Sequence, residues 1–246
     1  MALASRLMIA AVLGMGAAPL AAEDAERSVR QVRFAAGTSA TTLKDSVQGR
    51  KYVDYQLRAG AGQVLKVSMK AGSGSGAFNV LPPESRDAAM FIEGGGARAF
   101  EGRLPADGVY TVRVYLTRAA ARRNESASYT LSIGVTGKAL APLPAARDAL
   151  VPGTAFHATA KVRCEPPYTK TRECDAGVIR RGNDGTASVD LRWDTNGRRR
   201  ILFVGGRPEA SDDPRPFAHT RSERGTVVEF APDERFEIPE ALVNGG

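Results

Sequence analysis

Two arginines four residues apart are the clearest candidates for binding chemistry in this chain. Within residues 117–126, three alanines separate Arg118 from Arg122, and alanine favours a helical turn more than any other residue. At that spacing the two side chains project from one side of the turn, with Cβ atoms about 5–6 Å apart. A guanidinium grips a carboxylate through two hydrogen bonds. The pattern predicts either a carboxylate-binding pair or two charges that keep a long loop solvated.

The other reactive side chains form no catalytic or metal-binding pattern. The sequence lacks a G-x-S-x-G elbow, a phosphate-binding G-x-x-x-x-G-K loop and an H-E-x-x-H zinc motif. Its only histidines are His157 and His219, so no zinc site is predicted. The acidic pairs at 212–213 and 233–234 are expected to be solvated loop charges. The sequence therefore indicates a protein that is not an enzyme, with no catalytic residues, no metal and no cofactor.

The start of the chain has the layout of a secretory signal peptide. Arg6 is the only charge before an apolar run over residues 7–18, and the small residues Ala21 and Ala22 follow. The run is shorter than the roughly 20 residues of a transmembrane helix. We therefore predict a signal peptide over residues 1–22 and a periplasmic or secreted mature chain without a membrane span. An uncleaved anchor lying in the membrane interface is the alternative.

Export and the charge distribution indicate a disulfide and limit the kinds of molecule that the protein binds. Because exported proteins form disulfides, the pair Cys164 and Cys174 predicts one. Residues 23–138 carry 17 Lys and Arg against 11 Asp and Glu, whereas residues 139–246 carry 16 of each. Cationic proteins bind nucleic acids or acidic surfaces, and an exported protein seldom meets nucleic acid. We therefore expect an acidic cleft on a protein partner, and no nucleic acid.

Alternating apolar residues predict strands throughout. In residues 52–58, Val53, Tyr55 and Leu57 share one face and Tyr52 lies on the other. Similar runs occupy 63–69, 77–81, 109–117 and 128–135, and glycine-rich turns separate them. The expected fold is mostly β: an antiparallel β-sandwich over residues 23–137, followed by a second small β-rich domain over residues 153–246.

Residues 138–152, which contain Pro142 and Pro144, are predicted to be an extended linker. In the second domain, Asn196-Gly197 is typical of a tight hairpin turn between two strands. The polar stretch 207–216 is expected to be a mobile loop. The arginine runs at 180–181 and 198–200 either bind an anion or are solvated strand ends, and the balanced charge favours the latter.

Two blocks of the first domain resemble the periplasmic inhibitors of g-type lysozyme. Residues 49–55 (GRKYVDY) and 61–67 (AGQVLKV) resemble that family's early strands. Residues 110–114 (YTVRV), followed by Thr117-Arg118 and Ala121-Arg122, resemble its late strand and the loop after it. The similarity extends from about residue 32 to residue 135. The turn at 106–110 is also shared with the wider class of bacterial pre-peptidase C-terminal sandwiches.

The resemblance implies a β-sandwich that blocks the substrate cleft of g-type lysozyme, with Arg118 and Arg122 as its inhibitory arginines. Arg123 follows them in the same loop. The family carries an aromatic residue after the glycine that matches Gly49, whereas this chain has Arg50 there. Tyr52, which faces outward, is close enough in sequence to take that role. Two other functions remain open: a cell-envelope binding or scaffolding module, and a hydrolase whose site residues follow no known motif.

The mature protein is expected to begin at Glu23, because the small residues before it form the cleavage site. Intact-mass measurement on protein isolated from the periplasm checks this. A retained Met1 would contradict the prediction of export.

Overall fold

The structure, a computed structural model, describes residues 26–72, 75–93, 98–195 and 197–245. The predicted signal peptide at 1–22 and Asn196 of the predicted hairpin turn lie outside these residues. The described part is mostly β, as predicted, with 17 strands and two short helices.

The strands between residues 27 and 136 form two facing sheets, in the orders β1-β3-β8-β5-β6 and β2-β9-β4-β7. Their bounds are β1 Arg27–Gln31, β2 Ala40–Gln48, β3 Tyr52–Ala59, β4 Val64–Ala71, β5 Gly76–Leu81, β6 Phe91–Ile92, β7 Ala99–Arg103, β8 Gly108–Leu116 and β9 Ser126–Thr136. We call this part the sandwich. The predicted antiparallel sandwich is confirmed, except that β1 pairs with β3 in parallel.

The alternation of the sequence sets the two faces of each strand. Val53, Tyr55 and Leu57 of β3 point into a core between the two sheets, as the pattern predicts. The buried hydroxyls of Tyr55 and Tyr129 lie 2.9 Å apart and link the two sheets. At the β7–β8 turn, the buried Tyr110 hydroxyl donates to the backbone oxygen of Ala106 at 2.7 Å. These bonds satisfy polar groups that would be costly to bury alone.

The C-terminal strands form one eight-stranded antiparallel sheet in the order β14-β13-β12-β11-β10-β17-β16-β15. Their bounds are β10 Ala158–Glu165, β11 Glu173–Arg180, β12 Ala187–Arg192, β13 Arg198–Val204, β14 Arg207–Ser211, β15 Phe217–Ser222, β16 Gly225–Phe230 and β17 Glu234–Ile238. Three strands separate β13 from β17, yet Arg199 Nε lies 2.8 Å from Glu234 Oε1. The sheet therefore curls into a nearly closed barrel, which we call the barrel.

The barrel interior is mostly apolar, apart from the Arg199–Glu234 ion pair, and contains the predicted disulfide. Cys164 of β10 and Cys174 of β11 are bonded to each other and buried, which confirms that prediction. The chain then ends in a short helix, Glu240–Asn244, whose Leu242 and Val243 pack on the same core.

The polar segment 207–216 is not the mobile loop that its composition indicated. Its first half is strand β14. Asp212 is buried and the side chain of Asp213 is only 6% exposed, so neither is solvated. Glu234 is buried as well. The physical reason is charge pairing: Arg199 contacts Asp213 at 2.5 Å, and the Arg215 guanidinium bonds to both Asp213 and Glu234. Burial alone would raise the pKa of Asp213, but the Arg215 hydrogen bonds and the nearby Arg199 charge outweigh it and lower that pKa.

The barrel docks on one end of the sandwich, through the turns β3–β4 and β7–β8 and the segment after β5. The predicted linker is held there, because the N–H of Leu140 donates to the oxygen of Ala61 at 2.9 Å. The fully buried Arg181 side chain bonds to Asp107 at 2.8 Å and also to Ser188 and Leu140. The arginine run at 180–181 is therefore a structural contact and not a solvated strand end.

Replacing Arg181 with alanine is expected to lower the free energy of unfolding by roughly 2–3 kcal/mol, because three acceptors lose a charged donor. Urea unfolding measures the change. Arg192→Ala is the matched control, since that side chain is 52% exposed in its pair with Asp190 and such pairs contribute about 1 kcal/mol or less. Equal losses in the two variants would show that the buried contact contributes nothing of its own.

Candidate functional site

The predicted helical turn is present as helix α1, Arg118–Arg122, between β8 and β9. Its start is attached to a neighbouring loop, since the N–H of Thr117 donates to Ser75 at 2.8 Å. Ala120 is fully buried and Ala121 packs on the sandwich core. Small alanines let the turn lie flat on the core, and they direct the arginines at its two ends outward into solvent.

The arginines of this segment differ in how they are paired. Arg123 donates from Nε to Glu125 at 2.6 Å. Arg118 and Arg122 are exposed and form no ion pair within the part of the chain that the structure describes. Two guanidiniums therefore remain available to a partner, at a spacing that places them on one side of the turn.

The β2–β3 turn lies against the end of α1. The N–H of Gly49 donates to Glu125 at 2.9 Å. Gly49 has φ +59°, and a Cβ placed there would come within 2.5 Å of Asn124 Oδ1. Only glycine adopts this positive φ and allows Asn124 to lie so close without strain. The exposed Arg50 is therefore at the same end of the sandwich as Arg122, and we call this end the tip.

Tyr52 is partly buried on the outer face of β3, as the alternation predicts, but it belongs to a different cluster. The Arg113 guanidinium lies over its ring, 4.5 Å from the centroid. Among the described residues, no hydrogen bond or cation–π contact joins Tyr52 to Arg118 or Arg122. The structure thus brings Arg50, Arg118, Arg122 and Arg123 to the tip and leaves Tyr52 beside it.

The tip and the barrel are at opposite ends of the sandwich. Strand β8 runs from Gly108 to Leu116, so its nine residues span about 30 Å at about 3.3 Å per residue. Asp107, at its start, contacts the barrel through Arg181, whereas α1 follows its other end. The barrel therefore leaves the tip uncovered. Sequence reasoning missed this, because no sequence signal showed where the barrel docks.

The described residues contain no group of three or more His, Cys, Asp or Glu side chains placed to hold a metal ion. Within the same ranges, no helix has the length and apolarity needed to cross a membrane.

Comparison with known proteins gave matches among solved structures. The chain is similar to PliG, a periplasmic inhibitor of g-type lysozyme from Aeromonas hydrophila, with 34% identity, 45% of this chain and 98% of that chain covered, and a TM-score of 0.42. A mutant of the Escherichia coli PliG is 26% identical, with 45% and 98% covered and a TM-score of 0.36. A pre-peptidase C-terminal domain of a Bacillus anthracis collagenase is 14% identical, with 45% and 96% covered and a TM-score of 0.33. No protein-family model and no curated protein sequence matches the chain.

The fold and the tip define a class of protein: a β-sandwich that offers a cationic turn at one end. The 34% identity extends over nearly the whole A. hydrophila inhibitor. On that identity the chain belongs to the family of periplasmic inhibitors of g-type lysozyme. More than half of this chain lies outside the match.

Gly49→Ala is expected to destabilise the protein by more than the ~1–2 kcal/mol of placing alanine at positive φ, because the methyl group also displaces Asn124. Gly37→Ala is the control, since Gly37 has φ +76° with nothing near its Cβ position. Thermal and urea unfolding of both variants measure the difference. Equal destabilisation would mean that the two parts of the tip are not in close contact.

Proposed function

We propose that this protein is an exported inhibitor of g-type lysozyme that blocks the enzyme's substrate cleft with its tip. The observation that carries the proposal is the pair of exposed, unpaired guanidiniums of Arg118 and Arg122 on a turn anchored by the buried Ala120. Positions 118 and 122 are also the ones that the resemblance to the inhibitor family assigns to inhibition. The family members named above are inhibitors of this enzyme class.

The mechanism follows from the chemistry of glycoside hydrolysis. Lysozymes need a carboxylic acid that is protonated when it acts on the glycosidic oxygen. A guanidinium within hydrogen-bond distance favours the ionised carboxylate and lowers its pKa. An arginine at the tip would therefore remove the catalytic proton as well as occupy a sugar-binding position. Because the turn is anchored, little side-chain and loop entropy is lost on binding.

Arg50 extends the positive charge of the tip. It replaces the aromatic residue that the family resemblance implies, and it lies on the turn that contacts Asn124. With this third guanidinium, we expect the protein to prefer lysozymes that carry a carboxylate at the rim of the substrate cleft, opposite the β2–β3 turn. Tyr52, under the Arg113 side chain, would then contact the edge of the cleft.

The proposal also includes the domain boundaries, the compartment and the class of partner. Residues 23–137 form the inhibitory domain, 138–152 the linker, and 153–246 a second domain that docks at the far end. The protein acts in the periplasm after removal of residues 1–22. It needs no cofactor, and its partner is a protein and not a nucleic acid.

Replacing Arg118 or Arg122 with alanine is expected to weaken inhibition more than tenfold. Removing one partner of a buried charge pair costs roughly 2–5 kcal/mol, because the lysozyme carboxylate is left desolvated. The measurement is a titration of peptidoglycan lysis by purified g-type lysozyme, with c-type lysozyme as a second enzyme. Moderate salt should leave most of the inhibition intact, since buried pairs are screened less than surface pairs.

Arg58→Ala is the matched control, because Arg58 is an exposed arginine at the end of β3 away from the tip. Circular dichroism confirms that each variant is folded. Equal inhibition by the wild type and the Arg118→Ala/Arg122→Ala double variant would exclude α1 from the mechanism. If the wild type does not inhibit at all, a cell-envelope binding module becomes the better interpretation.

A further inference from the structure

A polar cleft of about 600 Å³ lies on the outer face of the sandwich, over strands β3 and β8, and none of its lining residues belongs to α1. We propose that this cleft binds a sugar that carries a negative charge. The proposal does not depend on lysozyme inhibition, because it concerns a different ligand and shares only Tyr52, at the edge of the cleft, with the proposed lysozyme contact.

A buried carboxylate organises the floor of the cleft. Asp54 is on the outer face of β3, yet it is fully buried because two arginines cover it. Arg113 donates from Nε to Oδ1 at 2.7 Å and from Nη2 to Oδ2 at 3.0 Å. Arg27 donates from Nε to Oδ2 at 2.8 Å. One carboxylate therefore holds two guanidiniums side by side in a fixed orientation.

This arrangement leaves hydrogen-bond donors unused. Arg27 gives only its Nε to Asp54, so its terminal nitrogens have no acceptor among the residues that the structure describes. Nη1 of Arg113 has only a loose contact, 3.6 Å from the Asp87 carboxylate, whose side chain is 91% exposed. Arg86 lines the same cleft, is exposed, and forms no ion pair within the described ranges. Three guanidiniums and three carboxylates, those of Asp54, Glu84 and Asp87, line the cleft. Because Glu84 is paired with arginines of the barrel, one positive charge remains in excess, and it favours an anion.

The wall of the cleft is held in place by the barrel. Residues 82–90 connect β5 to β6 beside the cleft, and Glu84 of this segment pairs with Arg198 at 2.5 Å and Arg200 at 3.3 Å. The Glu84 carboxylate is therefore already neutralised and does not oppose an anionic ligand. A wall fixed in this way reduces the ordering cost of binding.

The rest of the lining indicates a sugar instead of a bare inorganic ion. Gln56 and Ser85 offer amide and hydroxyl groups, and the partly exposed Val109 adds a small apolar surface. Hydroxyl groups on a sugar ring pair with such groups, and an N-acetyl methyl fits an aliphatic surface. A volume of 600 Å³ lies within the usual range for small-molecule sites, about 300–1,000 Å³.

The test compares three sugars, of which two carry a negative charge and one is neutral. N-acetylmuramic acid carries a carboxylate that N-acetylglucosamine lacks, and glucose 6-phosphate carries a phosphate instead. Each is titrated into the full-length mature protein, with calorimetry for affinity and NMR of arginine Nε–H signals for location. N-acetylmuramic acid is expected to bind at least tenfold more tightly than N-acetylglucosamine, with shifts at Arg27 and Arg113. Preferential binding of glucose 6-phosphate would also support the proposal, with phosphate as the charged group.

Arg86→Ala is expected to weaken binding of the acidic sugar about tenfold, as a charge-assisted hydrogen bond is lost. Arg86→Lys should restore part of it. Arg58→Ala, on the same face of β3 but outside the cleft, should leave binding unchanged. Equal affinity for the charged and neutral sugars, no binding of any of the three, or binding that is unaffected by Arg86→Ala would each overturn the proposal.

Discussion

The pairing of arginines with carboxylates along β13 is the interaction on which the rest of the structure depends. Because side chains alternate along a strand, Arg199 points into the barrel and meets Glu234, while Arg198 and Arg200 point out toward the sandwich. Arg200 donates from Nη1 to the oxygen of Pro83 at 2.8 Å. The same three residues thus close the barrel and attach it to the other half of the molecule. Removing one partner of such a buried pair is costly, because the remaining charge stays desolvated.

The chain uses arginine in two opposite ways. Along β13 and at Arg181, guanidiniums are buried or largely covered and their hydrogen bonds are made within the protein. At the tip, Arg118 and Arg122 are exposed, and their donors are available to another molecule. The guanidinium group is planar and weakly hydrated, so it suits both a buried ion pair and an exposed binding surface. The difference between a structural and a binding arginine is therefore set by its neighbours and not by its chemistry.

The barrel is attached to the end of the sandwich opposite the tip. This arrangement explains how the sandwich carries a second unit of similar size while its tip stays accessible to a partner. The barrel occupies the end near Asp107, and α1 is at the end of β8 about 30 Å away by strand length. Attachment at the far end leaves the surface of α1 and the β2–β3 turn unobstructed. It also fixes the segment after β5 through Glu84, so docking shapes the outer face of the sandwich as well.

The sequence by itself determined the strands with clear alternation (β3, β4, β5, β8 and β9), their faces, the disulfide and the helical turn, since each depends on local periodicity, turn residues or compartment. It also indicated that Arg118 and Arg122 share one side. Only the tertiary structure decided which charges are free. Residues 198–200 and Asp212 looked solvated in sequence, but Glu84 and Glu234, both distant along the chain, pair with the arginines, and Asp212 is paired with Arg199 and Arg200 of the neighbouring strand. The burial of a charge depends on what folds against it, and that information is spread over more than a hundred residues. Local patterns cannot contain it.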